Sequence, residues 1–312
     1  MVHDFHHRYA EADLRVSALG FGWRGSPPEH CFIAQFDPGT HAPSVPEMHC
    51  GYRVVLEEER VIPLGYWGDR LRRTFRPPPH EAWPGWAGCL LRAEDLRKGG
   101  TLGCFLKPQR GPERYALTCA HTLVNGEASD AYPRHGLSVY ASIAGRKIDE
   151  TLIGTAARAH GWESVAYESD AAVVLLRDAS RAINVIPRIG RLAPKALDTD
   201  SIKIGHRVVK YGAASGYTSG VITAIKTIGQ RRDSSVVMPL ADVIEVAPRF
   251  DDEVRSTSFC DRGDSGSIVV MDASGAADRE VLGLLASQGT LLQRGYVVPL
   301  VRILNGFSLS LV

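Results

Sequence analysis

From Gly88 to the C-terminus the chain breaks into short apolar runs separated by turns, a rhythm that points to antiparallel sheet. Residues 102–106 are one such run, Lys107-Pro108-Gln109-Arg110-Gly111-Pro112 is a turn, and residues 114–119 return as the second arm of a hairpin. Similar runs lie at 137–143, 151–155, 171–176, 206–211, 219–226, 236–238, 242–247, 267–271, 280–286 and 295–300. The 31 glycines and 18 prolines suit a turn-rich protein better than a helical bundle. Helical signals are confined to a turn or two at 92–98 and 300–304. About a dozen strands in two groups, parted by a Pro- and Lys-containing link at 187–200, predict an all-β fold of two antiparallel β-barrels. The first is expected at about 88–186 and the second at about 200–312.

Residues 1–80 have a different texture and read as a small N-terminal module or arm ahead of the domain at 81–312. They carry most of the histidines and two strand-like runs, 31–34 and 52–56, around a Pro/Gly loop. A basic run at 70–76 and Pro77-Pro78-Pro79 read as a solvated, stiff connector. His30-Cys31 and His49-Cys50 are poor zinc ligands, because neighbours on a strand point to opposite faces. No metal or cofactor is expected. Net charge is +1, which gives no electrostatic reason to expect nucleic acid. There is no apolar run of transmembrane length and no apolar leader, so a cytoplasmic protein with reduced thiols is expected. A bridge between Cys104 and Cys119, on adjacent strands, stays open.

Three short strings stand out for chemistry. Gly263-Asp264-Ser265-Gly266 is a glycine-flanked turn in which two backbone N–H groups can converge beside a serine hydroxyl. Such a hydroxyl needs a general base and an orienting acid. His121 follows the strand Leu117-Thr118-Cys119-Ala120, where small Ala120 lets the ring turn outward. Asp170 heads the apolar run Ala171-Ala172-Val173-Val174-Leu175-Leu176, a costly place for a carboxylate without a partner. The order is His, Asp, Ser, with separations of 49 and 95 residues.

Those strings, that order and that spacing resemble the serine peptidases of the chymotrypsin/trypsin fold, over roughly residues 88–312. Gly100-Thr101-Leu102-Gly103-Cys104-Phe105-Leu106 is similar to bacterial cytosolic members. The resemblance implies a catalytic triad of Ser265 as nucleophile, His121 as general base and acid, and Asp170 as orienting acid. It implies an oxyanion hole from the N–H groups of Gly263 and Ser265. Ala286-Ser287-Gln288-Gly289 is similar to the family strand that lines the pocket for the residue before the cut and pairs with the substrate backbone. Gln288 stands where a tryptophan is usual, and Ser287 is placed to hydrogen-bond Asp170. Phe259 falls at the pocket base and Gly295 on its far wall, where a missing side chain would leave space. Phe259 carries no charge, which favours a small or apolar residue before the cut.

The chain also departs from the digestive branch of that family. Thr122 follows the histidine where a cysteine is usual, and Ser267 replaces a glycine. No activation site of the Ile-Val-Gly-Gly kind is present, so Asp264 must find a partner other than a newly cut N-terminus. The resemblance implies a serine endopeptidase acting on protein or peptide. The N-terminal module, about 80 residues beyond what that fold needs, is expected to regulate it, to recruit substrate or to bind a regulatory protein. A regulated bacterial effector cutting one protein in stress or phage defence is one form of this. A silent binding module on the same fold and an ester-specific hydrolase are the alternatives.

Overall fold

The computed structural model describes residues 16–24, 29–36, 38–59, 61–63, 85–94, 99–123, 136–142, 151–157, 169–233, 236–249, 258–273, 277–289 and 293–312. The basic run and the proline connector at 70–80 lie outside the described residues, as does most of the turn expected at 92–98.

Five strands precede the first barrel: β1 (Val16–Arg24), β2 (Glu29–Phe36), β3 (Met48–His49), β4 (Tyr52–Glu58) and β5 (Val61–Pro63). The first barrel region holds β6 (Leu90–Ala93), β7 (Gly99–Thr101), β8 (Cys104–Pro108), β9 (Tyr115–Cys119), β10 (Ser138–Ser142), β11 (Thr151–Ala157) and β12 (Ala171–Leu176). Next come β13 (Val185–Ile186) and β14 (Gly190–Ala196), and then β15 (Arg207–Gly212), β16 (Gly216–Asp233), β17 (Val236–Pro248), β18 (Ile268–Met271), β19 (Asp278–Gly289) and β20 (Gly295–Pro299). The chain ends in helix α1 (Leu300–Phe307) and β21 (Leu309–Leu311).

The second group closes on itself. β15, β16, β17, β20, β19 and β18 pair in a ring in which every neighbour is antiparallel. Alternation fills its interior with Val208, Ile222, Val246, Phe259, Val269, Leu285 and Val297. The first group has the order β21-β8-β9-β12-β11-β10-β6-β7. Its β7 and β8 are separated only by Leu102 and Gly103, whose amides bond Cys89 O and Leu117 O, so this sheet bends round as a half-barrel. The fold is the predicted antiparallel pair, with the second barrel closed and the first a half-barrel.

Both barrels contribute to one continuous core, with Phe105, Leu117 and Val173 from the first and Ile268, Leu284 and Val298 from the second. Full burial of each such side chain is worth roughly 1.5–3 kcal/mol, so the junction between the barrels is held as firmly as either interior. In α1 the apolar positions Leu300, Ile303 and Phe307 recur at helical spacing and are the buried ones. Ser308 ends the helix in the left-handed conformation, and β21 then pairs with β8, joining the chain end to the first barrel.

Two features depart from the sequence reading. The link at 187–200 contains a strand, β14, which runs parallel to β19. Its pairing with a distant segment is what a local pattern cannot display. The N-terminal runs at 31–34 and 52–56 are strands as read, but they extend the second barrel's own sheet in the order β16-β1-β2-β4-β3. Arg24, Gln35 and Glu57 of these strands meet Glu245, Arg294 and Tyr296 of the barrel in one charged and hydrogen-bonded network.

Candidate active site

The site forms where β7, the turn after β9 and the turn before β18 meet. Gly100 and Gly266 make this approach possible. A Cβ on Gly100 would lie 2.5 Å from Thr122 Cγ2 and 2.7 Å from Ser265 O. A Cβ on Gly266, which has φ of +91°, would lie 2.3 Å from Thr101 O and 3.2 Å from Cys119 N. The backbones bearing His121 and Ser265 are thereby drawn together, and Thr101 N donates to Ser265 O at 2.6 Å.

His121 sits in a short 3-10 turn directly after β9, and Asp170 immediately precedes β12, the strand paired with β9. The carboxylate of Asp170 takes both the backbone N–H of His121, at 3.1 Å, and its Nδ1, at 2.5 Å. Asp170 O in turn accepts from Ala120 N at 2.8 Å. Asp170 adopts φ of 49°, a left-handed conformation that costs a non-glycine residue on the order of 1–3 kcal/mol and is concentrated at functional sites. His121 and Asp170 are both buried. With Nδ1 committed to the carboxylate, Nε2 is the ring nitrogen left for chemistry.

The serine turn is fixed from several sides. Asp264 N donates to Asp261 O, Ser267 N to Asp264 O, and Gly266 N to Leu285 O, all within 2.9–3.0 Å. Thr101 Oγ1 donates to Gly263 O at 2.9 Å. Gly263 has φ of +106°, which glycine adopts readily. Among the described residues no backbone acceptor takes the N–H of Gly263 or of Ser265, which leaves two backbone donors on one turn. Ser265 is fully buried, and its Oγ has no hydrogen-bond partner among the described residues.

Asp264 answers the question of its partner. Its Oδ2 lies 2.9 Å from Lys210 Nζ, and both side chains are fully buried. Oδ2 also accepts from Ser215 Oγ and Asp261 N, and Oδ1 accepts from the N–H groups of Ala214 and Ser215. Burial alone would raise the Asp264 carboxyl, but the Lys210 charge and the Ser215 hydrogen bonds outweigh it and hold it below its ordinary value. Sequence reasoning missed Lys210. The signal was there in Val208-Val209-Lys210-Tyr211-Gly212, a lysine inside an otherwise apolar strand, which demands a buried partner.

The pocket residues are placed more unevenly. Phe259 is fully buried, and its ring fills the space that Gly220 and Gly295 leave: a Cβ on either would lie 2.8 Å or 2.6 Å from it. The gap expected at Gly295 is therefore occupied from below rather than open. Gln288 donates through Nε2 to Cys260 O at 3.0 Å and to Gln293 Oε1 at 2.9 Å, so its side chain is tied to the segment before the serine turn and to the one before β20. Ser287 is buried, but its Oγ has no hydrogen-bond partner among the described residues, and the expected bond to Asp170 is not made. Gly289 is covered by the buried Glu59, whose Oε2 would lie 2.5 Å from a Cβ there. None of the six cysteines is in a disulfide, and Cys104 faces Leu117 rather than Cys119 across the hairpin.

One group of residues has the donor types of a metal site among those described: Cys119, His121 and Asp170. His121 Nδ1 and Asp170 are already bonded to each other there, and Cys119 Sγ donates to Leu285 O, so the group reads as hydrogen-bonded rather than ligating. No helix among the described residues is long and apolar enough to cross a membrane.

Residues 180–309, which include the whole serine turn, match the model of Peptidase family S64. No curated protein sequence matches the chain. Among solved structures, a glutamic acid specific serine protease is similar at 14% identity and a TM-score of 0.48, covering 73% of this chain and 100% of its own. A chymotrypsin of Cellulomonas bogoriensis is similar at 15% identity and 0.44, covering 72% and 97%. Protease A of Thermobifida fusca stands at 16% and 0.45 with the same coverage.

Proposed function

We propose that this two-barrel serine peptidase hydrolyses internal peptide bonds through an acyl-enzyme on Ser265. The observation that carries the reading is the double grip of Asp170 on His121, through the backbone N–H and through Nδ1. This fixes the tautomer that leaves Nε2 as acceptor, which is what a serine nucleophile requires.

In this reading Ser265 Oγ attacks the scissile carbonyl while His121 Nε2 takes its proton. The carbonyl oxygen becomes an oxyanion, and the N–H groups of Gly263 and Ser265 receive it. His121 then gives the proton to the leaving amine, and a water molecule repeats the sequence to release the acid. Asp170 stays ionised throughout and stabilises the imidazolium. Lys210 and Asp264 hold the turn so that both N–H groups point the same way before the charge develops, which is where electrostatic catalysis gains most.

The filled base under Phe259 favours a small or apolar residue before the cut. Six thiols outside any disulfide suit a reducing compartment and support action inside the cell. A regulated effector that cuts a specific protein, in stress or phage defence, is the biological form we attach to this, with the N-terminal strands as its regulatory part.

Incubation with a fluorophosphonate probe, followed by peptide mapping, tests the chemistry. A single adduct on Ser265, absent in Ser265→Ala and in His121→Ala, is the expected result. Absence of an adduct on folded protein would contradict it and favour a silent binding module. Hydrolysis of esters without any hydrolysis of amides would leave the nucleophile but overturn the peptidase.

A further inference from the structure

Ser267 is fully buried, and both of its donors converge on one atom. Its N–H reaches Asp264 O at 2.9 Å, and its hydroxyl reaches the same oxygen at 2.5 Å. The N–H alone would pair that carbonyl, and the hydroxyl takes up its second lone pair. The carbonyl belongs to the peptide unit whose other end is the N–H of Ser265. A peptide unit is planar, so holding its carbonyl from one side fixes its N–H on the other. We propose that the Ser267 hydroxyl is a positioning group for the chemistry of Ser265. It locks and polarises the Asp264–Ser265 peptide, so that the Ser265 N–H meets the developing oxyanion as a strong, fixed donor. The inference rests on the peptidase reading and adds a residue to that same site.

The rest of the turn leaves that N–H as the available end. Asp264 N goes to Asp261 O and Gly266 N to Leu285 O, while no backbone acceptor among the described residues takes Ser265 N. A carbonyl attacked by Ser265 Oγ therefore brings its oxygen beside a donor on the same residue. The carbonyls on either side are held from outside the turn: Gly263 O accepts from Thr101 Oγ1 at 2.9 Å, and Ser265 O accepts from Thr101 N at 2.6 Å. Asp264 O, between them, is held by Ser267. Ser267 is itself anchored, because Leu285 N donates to Ser267 O at 2.9 Å and β18 begins at the next residue. Gly212 makes the room, since a Cβ there would lie 2.8 Å from Ser267 Oγ.

Two effects follow. Rotation of the Asp264–Ser265 peptide would break both bonds to Ser267 and turn a carbonyl toward the place of the oxyanion. The hydroxyl therefore disfavours an orientation that would repel the transition state. Charge arriving at the Ser265 N–H is also passed through the amide to Asp264 O, where two donors receive it. Hydrogen bonds in series strengthen one another by roughly 10–30% each. Removing the hydroxyl leaves the Ser265 N–H in place but loosened. Its loss should thus cost about tenfold in rate, less than the roughly 10²–10³ for removing an oxyanion donor outright.

The test compares the full chain with its Ser267→Ala and Ser267→Gly variants, using a library peptide that the wild type cleaves. Fluorophosphonate labelling, steady-state hydrolysis and inhibition by a trifluoromethyl ketone of the same peptide sequence are measured on each, with urea unfolding to check the fold. The low-field proton NMR signal of His121 Nδ1, bonded to Asp170 Oδ2, reports whether the base has moved. The proposal predicts a fall of about tenfold in kcat and in labelling rate, equal in both variants, with KM changed by less than about twofold. Binding of the ketone, which forms a tetrahedral oxyanion adduct, should weaken by the same factor, and the NMR signal should stay in place. An unchanged kcat in folded variants, a change confined to KM, a displaced NMR signal, or failure of both variants to fold would overturn the inference and leave the peptidase standing. Absence of labelling in the folded wild type would overturn the peptidase reading and the inference with it.

Discussion

Lys210 Nζ and Asp264 Oδ2 lie 2.9 Å apart with both side chains fully buried, one residue from the serine that the turn presents. A buried pair of this kind is costly to assemble and costlier to break from one side, because the remaining charge has no solvent to turn to. The pair, with the Ser215 hydroxyl and the N–H groups of Ala214 and Ser215, ties the turn to strand β15 and the turn after it.

Replacing Lys210 by Met should therefore destabilise the protein by about 3–5 kcal/mol, measured by urea unfolding. It should also slow fluorophosphonate labelling by about 10²–10³-fold, the scale for losing an oxyanion donor. The double variant Lys210→Met with Asp264→Asn should recover part of the stability without recovering the labelling rate. Recovery of both would mean that the pair serves packing alone.

Gly212 is tied to the same pair. A Cβ there would lie 2.2 Å from Asp264 Oδ1 and 2.8 Å from Ser267 Oγ, so Gly212→Ala must push the carboxylate aside. A cost of about 1–3 kcal/mol is expected, with a loss of labelling that exceeds the loss of folded protein. Circular dichroism melting and labelling on the same sample separate the two.

Asp170→Asn keeps the shape of the side chain but offers His121 Nδ1 a donor or a neutral oxygen in place of the carboxylate. A fall of about 10⁴-fold in kcat with little change in KM is the expected outcome, read from steady-state hydrolysis of a cleaved peptide. A change confined to KM would place Asp170 outside the proton transfers.

Phe259→Ala should open the space between Gly220 and Gly295 that the ring now fills. The cavity should cost about 3–5 kcal/mol. Library profiling should show the preference before the cut moving from small toward larger apolar side chains.

Glu57 gives a pH dependence with a definite sign. Burial would raise its carboxyl, but its bonds and proximity to Arg24 and Arg294 bring it from an ordinary 4.5 down to about 2. A carboxylate with a depressed folded value stabilises the protein above its unfolded value and ceases to as pH falls through the folded one. The stability difference between wild type and Glu57→Gln should thus be fully present above about pH 4.5 and should vanish as pH falls toward 2. A shift of this size corresponds to on the order of 3 kcal/mol. Urea titrations of both forms at several pH values check it, and a difference independent of pH would contradict the role given to Glu57.

Most of the barrels was legible because antiparallel strands leave a local trace. The hairpin at 102–119, the run headed by Asp170 and the helix after Pro299 were each visible as apolar periodicity beside turn residues. What stayed hidden depends on pairing across distance. The β14 strand looked like a linker because its partner, β19, lies far along the chain and runs parallel to it. Lys210 could be seen as an oddity in an apolar strand, but only the fold shows that Asp264 is its partner. The filling of the Gly295 space by Phe259 is likewise a matter of two side chains meeting across a barrel. The opposition of Val61–Pro63 to Gly289, Gln288 and Ser287 has no local signature at all, since a three-residue strand carries too little pattern to be read.

The central claim is that Ser265, served by His121 and Asp170, forms a covalent intermediate with a peptide substrate. The most direct measurement is acid-quenched mass spectrometry of the full chain mixed with a cleaved peptide. The account predicts an acyl adduct of the N-terminal product on the tryptic peptide that contains Ser265, lost in Ser265→Ala and His121→Ala. Efficient cleavage of the peptide with no adduct on Ser265, or with an adduct elsewhere, would contradict it.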